Sequence, residues 1–384
     1  MRFEFATSTK IIFGTGALRE AGSAASVMGR RALLVSGRPS EISAPLVEQL
    51  RTAGIDCVRF PVDGEPTLAM VEGGVERART ESCDMVIGFG GGSSIDTGKA
   101  VSALLTNGGD LLDYLEVIGK GRPLGRLSAP FIAIPTTSGT GSEVTRNAVL
   151  ASPEHRFKVS LRSPLMLPSL ALVDPELTYG LPPAVTASTG LDALTQLIEP
   201  YVSCRSNPMT DAICLEGMKH AARCLRRAWL DGRDPEARTG MSLASLMGGL
   251  ALANAGLGVV HGFAAPIGGM FPAAHGALCA ALLPSGMQVN IRALRERSPD
   301  SEALRRYETV ARVLTGKPDA GVDEGVRWVS ELRRGMNIPP LRTYGVGEKD
   351  VPALVEKASR ASSMKGNPIT LTTSELVEVI TCAL

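Results

Sequence analysis

DMVIGFGGGSSIDTGKAVSALLT, residues 84–106, is the stretch whose reading decides the fold. Its first six residues are a short apolar run of the kind that forms a buried strand. Glycines follow at 88, 90, 91 and 92, and apolar residues at helical spacing come next. A strand that turns through glycines into a helix is half of a βαβ unit. The turn leaves unpaired N–H groups at a helix N-terminus, where an anion such as a pyrophosphate is stabilised. The spacing departs from G-x-G-x-x-G, because Ser93 stands where the third glycine would be. A tight turn with no ligand is the competing reading. Asp96, just inside the helix, is a candidate either for cofactor contact or for capping.

The same alternation extends outward. Residues 31–36, 57–60, 131–135 and 170–173 are further short apolar runs, 10–16 a strand and turn, and 41–53 and 68–79 carry helical periodicity. Strands alternating with helices at this spacing imply a mostly parallel sheet. Beyond Leu181 the strand-like runs stop. Helical periodicity covers 184–202, 208–229, 235–254, 276–294, 301–314, 322–336, 349–361 and 373–384. Pro182 and Pro183 mark the change, since proline suits a helix start and not its interior. The expected architecture is an α/β N-terminal dinucleotide-binding domain with a mostly parallel sheet over residues 1–181, followed by an all-α C-terminal domain over 182–384.

Composition narrows the function class. The 384 residues carry a net charge of +1, only 4% aromatics and no basic stripe, so no nucleic-acid partner is expected. No window holds about 20 uninterrupted apolar residues, so no membrane-spanning helix is expected. The N-terminus lacks the apolar run of a signal peptide. The seven cysteines form no C-x-x-C pair, and most of them read as small buried residues of a protein in a reducing cytoplasm.

Two further segments carry chemistry. PTTSGTGSEVT, residues 135–145, follows a strand and offers Thr136, Thr137 and Ser142 among its hydroxyls, as a loop lining a nucleotide does. An ordinary Ser/Thr turn is the alternative. Lys158 lies between Phe157 and Val159 and reaches either a ligand or, as surface lysines usually do, solvent. The second segment is GVVHGFAAPIGGMFPAAHGALCAALLP, residues 258–284, which holds His261 and His275, two of the four histidines in the chain. Upstream, Asp192 and Gln196 are four apart on an apolar helix and share a face. A buried, unpaired carboxylate is costly, so Asp192 needs a cation or a network. Carboxylate plus two imidazoles, with an amide or water beside them, suits Fe(II) or Zn(II) with an open position. The bland reading is a locally bonded Asp192 with core histidines. Glu199 reads as a supporting residue, and His155 and His220 as solvated.

GGGSSID, PTTSGTGSEVT, GLDALTQLIEPY and VVHGFAAPIGGMFPAAHG, in this order, resemble the iron-containing (group III) alcohol dehydrogenases, whose architecture is shared with dehydroquinate synthase. The resemblance spans nearly the whole chain. It implies interconversion of a small-molecule alcohol with an aldehyde or ketone, by hydride transfer to or from NAD or NADP in the cleft between the domains. It implies Gly91, Gly92 and Ser93 at the pyrophosphate, Thr136, Thr137, Ser142 and Lys158 along the cofactor, and Asp192, His261 and His275 as metal ligands and catalytic residues. It also implies a homodimer.

The chain departs from the resemblance at three places. Histidine is usual where Gln196 stands; an amide is the poorer ligand, which leaves Fe(II) or Zn(II) and a water-completed site. A proton-relaying histidine is usual at Ala265. An acidic residue that binds the adenosine ribose is usual at Gly37, which is followed here by Arg38 and Ser40, so NADP(H) is expected to be accepted. Two other enzymes share the fold: a maleylacetate-reductase-like reductase without an essential metal, and a dehydroquinate-synthase-like lyase. A nucleotide-binding protein without catalysis is the reading from outside enzymology.

Overall fold

A computed structural model describes residues 2–37, 41–155 and 157–384. Arg38 and Ser40, on which part of the NADP expectation rests, lie outside the described residues. The chain forms two compact units.

The first unit comprises residues 6–137 and 141–178. Its elements run β1 (Ile11–Phe13), α1 (Ala21–Ser26), β2 (Arg31–Ser36), α2 (Ala44–Thr52), β3 (Asp56–Pro61), α3 (Leu68–Thr80), β4 (Met85–Gly90), α4 (Gly92–Thr106), β5 (Phe131–Pro135), β6 (Asn147–Ser152), β7 (Phe157–Arg162) and β8 (Leu170–Val173). Six strands make one parallel sheet in the order β1-β8-β5-β4-β2-β3. Both its faces are buried, which is why its strands read as unbroken apolar runs. Leu33, Val35, Val86, Phe131 and Ala133 pack on one face. Ala32, Leu34, Met85, Ile87, Ile132 and Ile134 pack on the other. The chain leaves β2 toward β3 on one side and continues from β4 to β5 on the other. The order therefore reverses between β2 and β4, and ligands of open parallel sheets settle outside the carboxyl ends at such a reversal. Those ends are Ser36-Gly37 and Gly90-Gly91, in neighbouring register with Ser36 opposite Phe89.

A hairpin of β6 and β7, antiparallel and apart from the main sheet, was not expected. The run NAVLASPEHRFKVSLR is only weakly alternating, and its polar turn hides the pairing.

The second unit takes residues 179–384 together with 1–5 and 138–140. It is helical: α5 (Pro183–Val202), α6 (Pro208–Leu230), α7 (Pro235–Ala255), α8 (Val259–Met270), α9 (His275–Arg297), α10 (Glu302–Thr315), α11 (Val322–Gly335), α12 (Val351–Ser359) and α13 (Thr373–Thr381). Helix α5 is the hub. Every residue from Gly190 to Val202 is buried, against α6, α7 and α9. Helix α8 went unrecognised in the sequence because it is apolar on nearly all sides and carries Gly262, Pro266, Gly268 and Gly269. Prolines also lie inside α5 (Pro200) and α9 (Pro284), so the expectation that proline stays at helix starts holds for Pro183, Pro208 and Pro235 but not for these three. No single helix among the described residues is long and apolar enough to cross a membrane.

Candidate metal and cofactor sites

The glycine turn is built as its sequence suggests. Gly91 is the N-cap of α4 and offers no side-chain cap, so the first amides of the helix, on Gly92, Ser93 and Ser94, have no intrahelical acceptor. Gly90 has φ +151°, and a Cβ there would lie 2.5 Å from Ser94 Oγ, so only glycine fits. The loop after β5 closes on this turn: Thr136 N–H donates to Gly90 C=O at 2.9 Å, and the Thr137 side chain lies beside Gly91. Gly91, Gly92, Ser93, Thr136 and Thr137 are all partly exposed in one place, with N–H and hydroxyl donors and no carboxylate among them. That is an anion cradle.

Asp96, Ser142 and Lys158 are placed differently. Asp96 does not cap α4; it is buried within the helix, accepts from Val149 N–H at 3.0 Å and lies 3.7 Å from Lys99 Nζ. Lys99 is itself buried and donates to Ser142 C=O, Thr145 Oγ1 and Asn147 C=O at 2.7–2.8 Å. This network staples the 136–147 loop to α4. Ser142 belongs to it through its carbonyl oxygen. Lys158 is not the solvated lysine that its residue type suggests: it is buried and paired with Glu65 at 2.9 Å. His155 is exposed, as expected, whereas His220 is half-buried beside Glu216 at 3.5 Å.

The same loop contains Glu143, buried and pushed up from 4.5 to about 7 by burial, with Lys99 pulling the other way. The folded chain therefore holds a proton that the unfolded chain releases between these two values. The stability this group contributes is full below pH 4.5 and is lost as pH rises toward about 7. Glu143→Gln is expected to flatten that slope and to stabilise the protein at pH 8 by on the order of 1–3 kcal/mol. Thermal melts of both proteins at pH 5 and pH 8 measure it; an unchanged slope would show that Glu143 is ionised throughout.

In the helical unit, Asp192 on α5, His261 on α8, and His275 and Cys279 on α9 place one donor atom each within 4.8 Å of one another. His261 Nε2 is 3.4 Å and His275 Nε2 4.0 Å from Asp192 Oδ1. Cys279 Sγ is 3.7 Å from His261 Nε2 and 3.6 Å from His275 Nε2. Asp192, His261 and Cys279 are buried, and His275 is partly exposed. Asp192 Oδ1 and Gln196 Oε1 are buried acceptors with no hydrogen bond. Orphaned acceptors beside two imidazoles and a thiol are the donor set a divalent cation satisfies, so the residues fit a metal. Close helix packing makes this possible. At Gly276 a Cβ would stand 2.5 Å from Ser188 C=O, so the glycine after His275 lets α9 lie against α5.

Cys279 was not singled out from the sequence. The signal was there, since His275 and Cys279 are four apart on one helix and share a face. Most cysteines are buried, as expected: Cys83, Cys214, Cys224 and Cys279 are buried and Cys57 partly so, while Cys204 and Cys382 are exposed.

Electrostatics bind the cluster together. Burial alone would push the His261 imidazole down, but its polar neighbours Cys279, Asp192 and Glu199 outweigh it and hold the group well above its ordinary 6.5. Burial works against Asp192 in the opposite sense, and its interactions with His261 and His275 hold the carboxyl below its usual 3.8. Burial pushes the Cys279 thiol up to about 12.

Glu199 sets the geometry. It lies two turns along α5 from Asp192. Its Oε1 accepts from Val260 N–H at 2.7 Å, and its Oε2 is 2.7 Å from His261 Nδ1. Helix α8 has Gly258 as its N-cap, with no capping side chain, so Glu199 of α5 and Asn367 of the loop before α13 (accepting from Val259 N–H at 3.0 Å) cap it instead. A carboxylate only accepts, so the shared proton sits on Nδ1 and Nε2 is turned toward Asp192. Glu199→Gln puts an amide N–H against that nitrogen. Metal affinity, titrated against a competing chelator, is expected to fall about 10–100-fold with helix content kept; unchanged affinity would remove Glu199 from this role.

Comparison with known proteins agrees with this geometry. Residues 8–175 match the family model described as iron-containing alcohol dehydrogenase, and residues 186–384 that of the Fe-containing alcohol dehydrogenase family, C-terminal. A choline dehydrogenase of Bacillus subtilis is 35% identical, over 95% of this chain and 90% of its own. The crystal structure of a 1,3-propanediol oxidoreductase superposes with a TM-score of 0.93 at 32% identity, covering 100% of both chains. A sulfoacetaldehyde reductase of Bifidobacterium kashiwanohense, solved in complex with NAD+, superposes with a TM-score of 0.86 at 27% identity, covering 100% of this chain and 99% of its own. With both halves of the chain matched and the full length aligned, this protein belongs to the iron-containing alcohol dehydrogenase family.

Proposed function

We propose that this protein is a metal-dependent oxidoreductase that interconverts a small primary alcohol with its aldehyde, using NAD(H) or NADP(H). The observation that carries this is the buried cluster of Asp192, His261 and His275, in a chain that also builds an anion cradle at Gly91, Gly92 and Ser93. When bound, a divalent ion supplies Lewis acidity to the alcohol oxygen and the nicotinamide accepts the hydride. Asp192, His261 and His275 would hold the ion, with Gln196 Oε1 as a further acceptor nearby on α5. Glu199 fixes the His261 tautomer. The N–H groups of Gly92 and Ser93 and the Thr136 and Thr137 hydroxyls would hold the pyrophosphate. Ala265 carries no ionisable group, so this position cannot relay the hydroxyl proton.

The relatives' names support an alcohol or aldehyde substrate and vary in its size: choline, 1,3-propanediol and sulfoacetaldehyde are small and polar, and one relative is a long-chain-alcohol dehydrogenase. A panel of such alcohols with each cofactor, followed before and after chelator treatment, tests the reading. Turnover that is lost with the metal and restored by Fe(II) or Zn(II) supports it; full turnover in metal-free protein supports the maleylacetate-reductase-like alternative.

Cofactor choice turns on Gly37. It follows β2 at the sheet reversal, is exposed, and puts no carboxylate where a 2′-phosphate would stand. NADP(H) is expected to be used, and Gly37→Asp to lower kcat/KM for NADP about 10–100-fold relative to NAD, since it sets one negative charge against another. Strict NAD preference in the unaltered protein would contradict this.

A further inference from the structure

We propose that Cys279 is a ligand of the metal site, which makes the protein donor set Asp192, His261, His275 and Cys279. This rests on the reading of the cluster as a metal site and adds the donor that softens it.

The distances carry the inference. Zinc-type bonds of about 2.0 Å to nitrogen or oxygen and 2.3 Å to sulfur, set tetrahedrally, put ligand atoms about 3.3–3.8 Å apart. Cys279 Sγ stands 3.7 Å from His261 Nε2 and 3.6 Å from His275 Nε2, and His261 Nε2 stands 3.4 Å from Asp192 Oδ1. The edge from His275 to Asp192, at 4.0 Å, is longer, and His275 is the partly exposed member of the set, so a small ring movement would close it. A cysteine filling core space would have apolar atoms around its sulfur. This one faces two imidazole nitrogens and sits beside an orphaned buried carboxylate oxygen. Helix geometry fixes the placement, because His275 and Cys279 are one turn apart on α9.

Gln196 was the expected fourth donor. It lies one turn beyond Asp192 on α5, and its Oε1 is buried without a hydrogen bond, close against Gly248 of α7. An uncharged amide oxygen competes poorly with a thiolate for a borderline-soft ion. On ligation the thiol proton leaves to solvent and the sulfur lone pair is donated to the ion; nothing is oxidised or reduced. The consequence is chemical: with Cys279 as a fourth protein donor, the ion would lack the open position that three donors would leave for an alcohol oxygen.

Cobalt(II) reads the sulfur directly. Purified protein is stripped with chelator, loaded with Co(II) under argon, and its near-ultraviolet spectrum recorded with bound cobalt counted. The expected result is one bound cobalt with an intense sulfur-to-cobalt charge-transfer band, retained in Gln196→Ala and lost in Cys279→Ser. One bound cobalt without that band in the unaltered protein overturns the assignment of Cys279 and leaves the metal site standing. No bound cobalt at all overturns both. The unaltered protein alone decides, so a poorly folding variant does not rescue the proposal.

Discussion

Replacing His275 with alanine is expected to leave a folded protein with little bound metal and with kcat/KM for alcohol oxidation lowered roughly 1000-fold or more, on the order of 4 kcal/mol of transition-state stabilisation. His275 begins α9 and its side chain is 31% exposed, so its removal opens no sealed cavity. Its loss takes one of two imidazoles from an ion that also needs Asp192. Asp192→Asn makes a sharper companion. The side chain keeps its shape and one acceptor but loses the charge that His261 and His275 favour in the folded chain, so metal binding is expected to fall and stability to fall modestly with it. Metal analysis beside steady-state kinetics and a thermal melt checks both variants. If either retained a full equivalent of metal and full turnover, the cluster would not be the site of the chemistry.

The second large effect lies at the glycine turn. Gly91 has φ −76° and ψ −172°, extended backbone that any residue adopts, and a Cβ there would lie 3.4 Å from the nearest Thr137 atom, an ordinary contact. Gly91→Val is therefore compatible with the fold. Its branched side chain would stand over the open amides of α4, where a pyrophosphate must approach backbone closely. Dinucleotide affinity is expected to fall at least about 100-fold, roughly 3 kcal/mol, with Tm within a few degrees of the parent. Calorimetric titration with NAD(H) and NADP(H) measures it. Unchanged affinity would move the cofactor away from this turn. The same substitution at Gly90 would strain the backbone itself and would not separate folding from binding.

Much of this was legible in the residues for definite physical reasons. Strands buried on both faces must be apolar throughout, so β2, β4, β5 and β8 stand out as short unbroken runs. Helices α6, α10 and α11 are amphipathic and announce themselves by period. Helix α8 does neither. It is buried nearly all round, starts at a glycine with no cap of its own and contains a proline, so its signals come from Glu199 and Asn367, 59 and 109 positions away from Gly258 in the chain. The metal cluster was legible in part because a buried carboxylate and scarce histidines in apolar surroundings demand an explanation. Cys279 escaped because cysteine is chemically ambiguous: a small buried side chain in one setting and a soft ligand in another. Asp96 and Lys158 illustrate the opposite ambiguity. Both sit where a cofactor contact was plausible, and both are engaged in ion pairs, Asp96 with the buried Lys99 and the buried Lys158 with the exposed Glu65.

The most direct test of the account is anomalous X-ray diffraction from crystals of the purified protein, measured at the iron and zinc absorption edges. A single strong peak is expected within bonding distance of Asp192, His261 and His275, with Cys279 Sγ at about 2.3 Å from it. An active enzyme whose crystals show no peak among these side chains would contradict it.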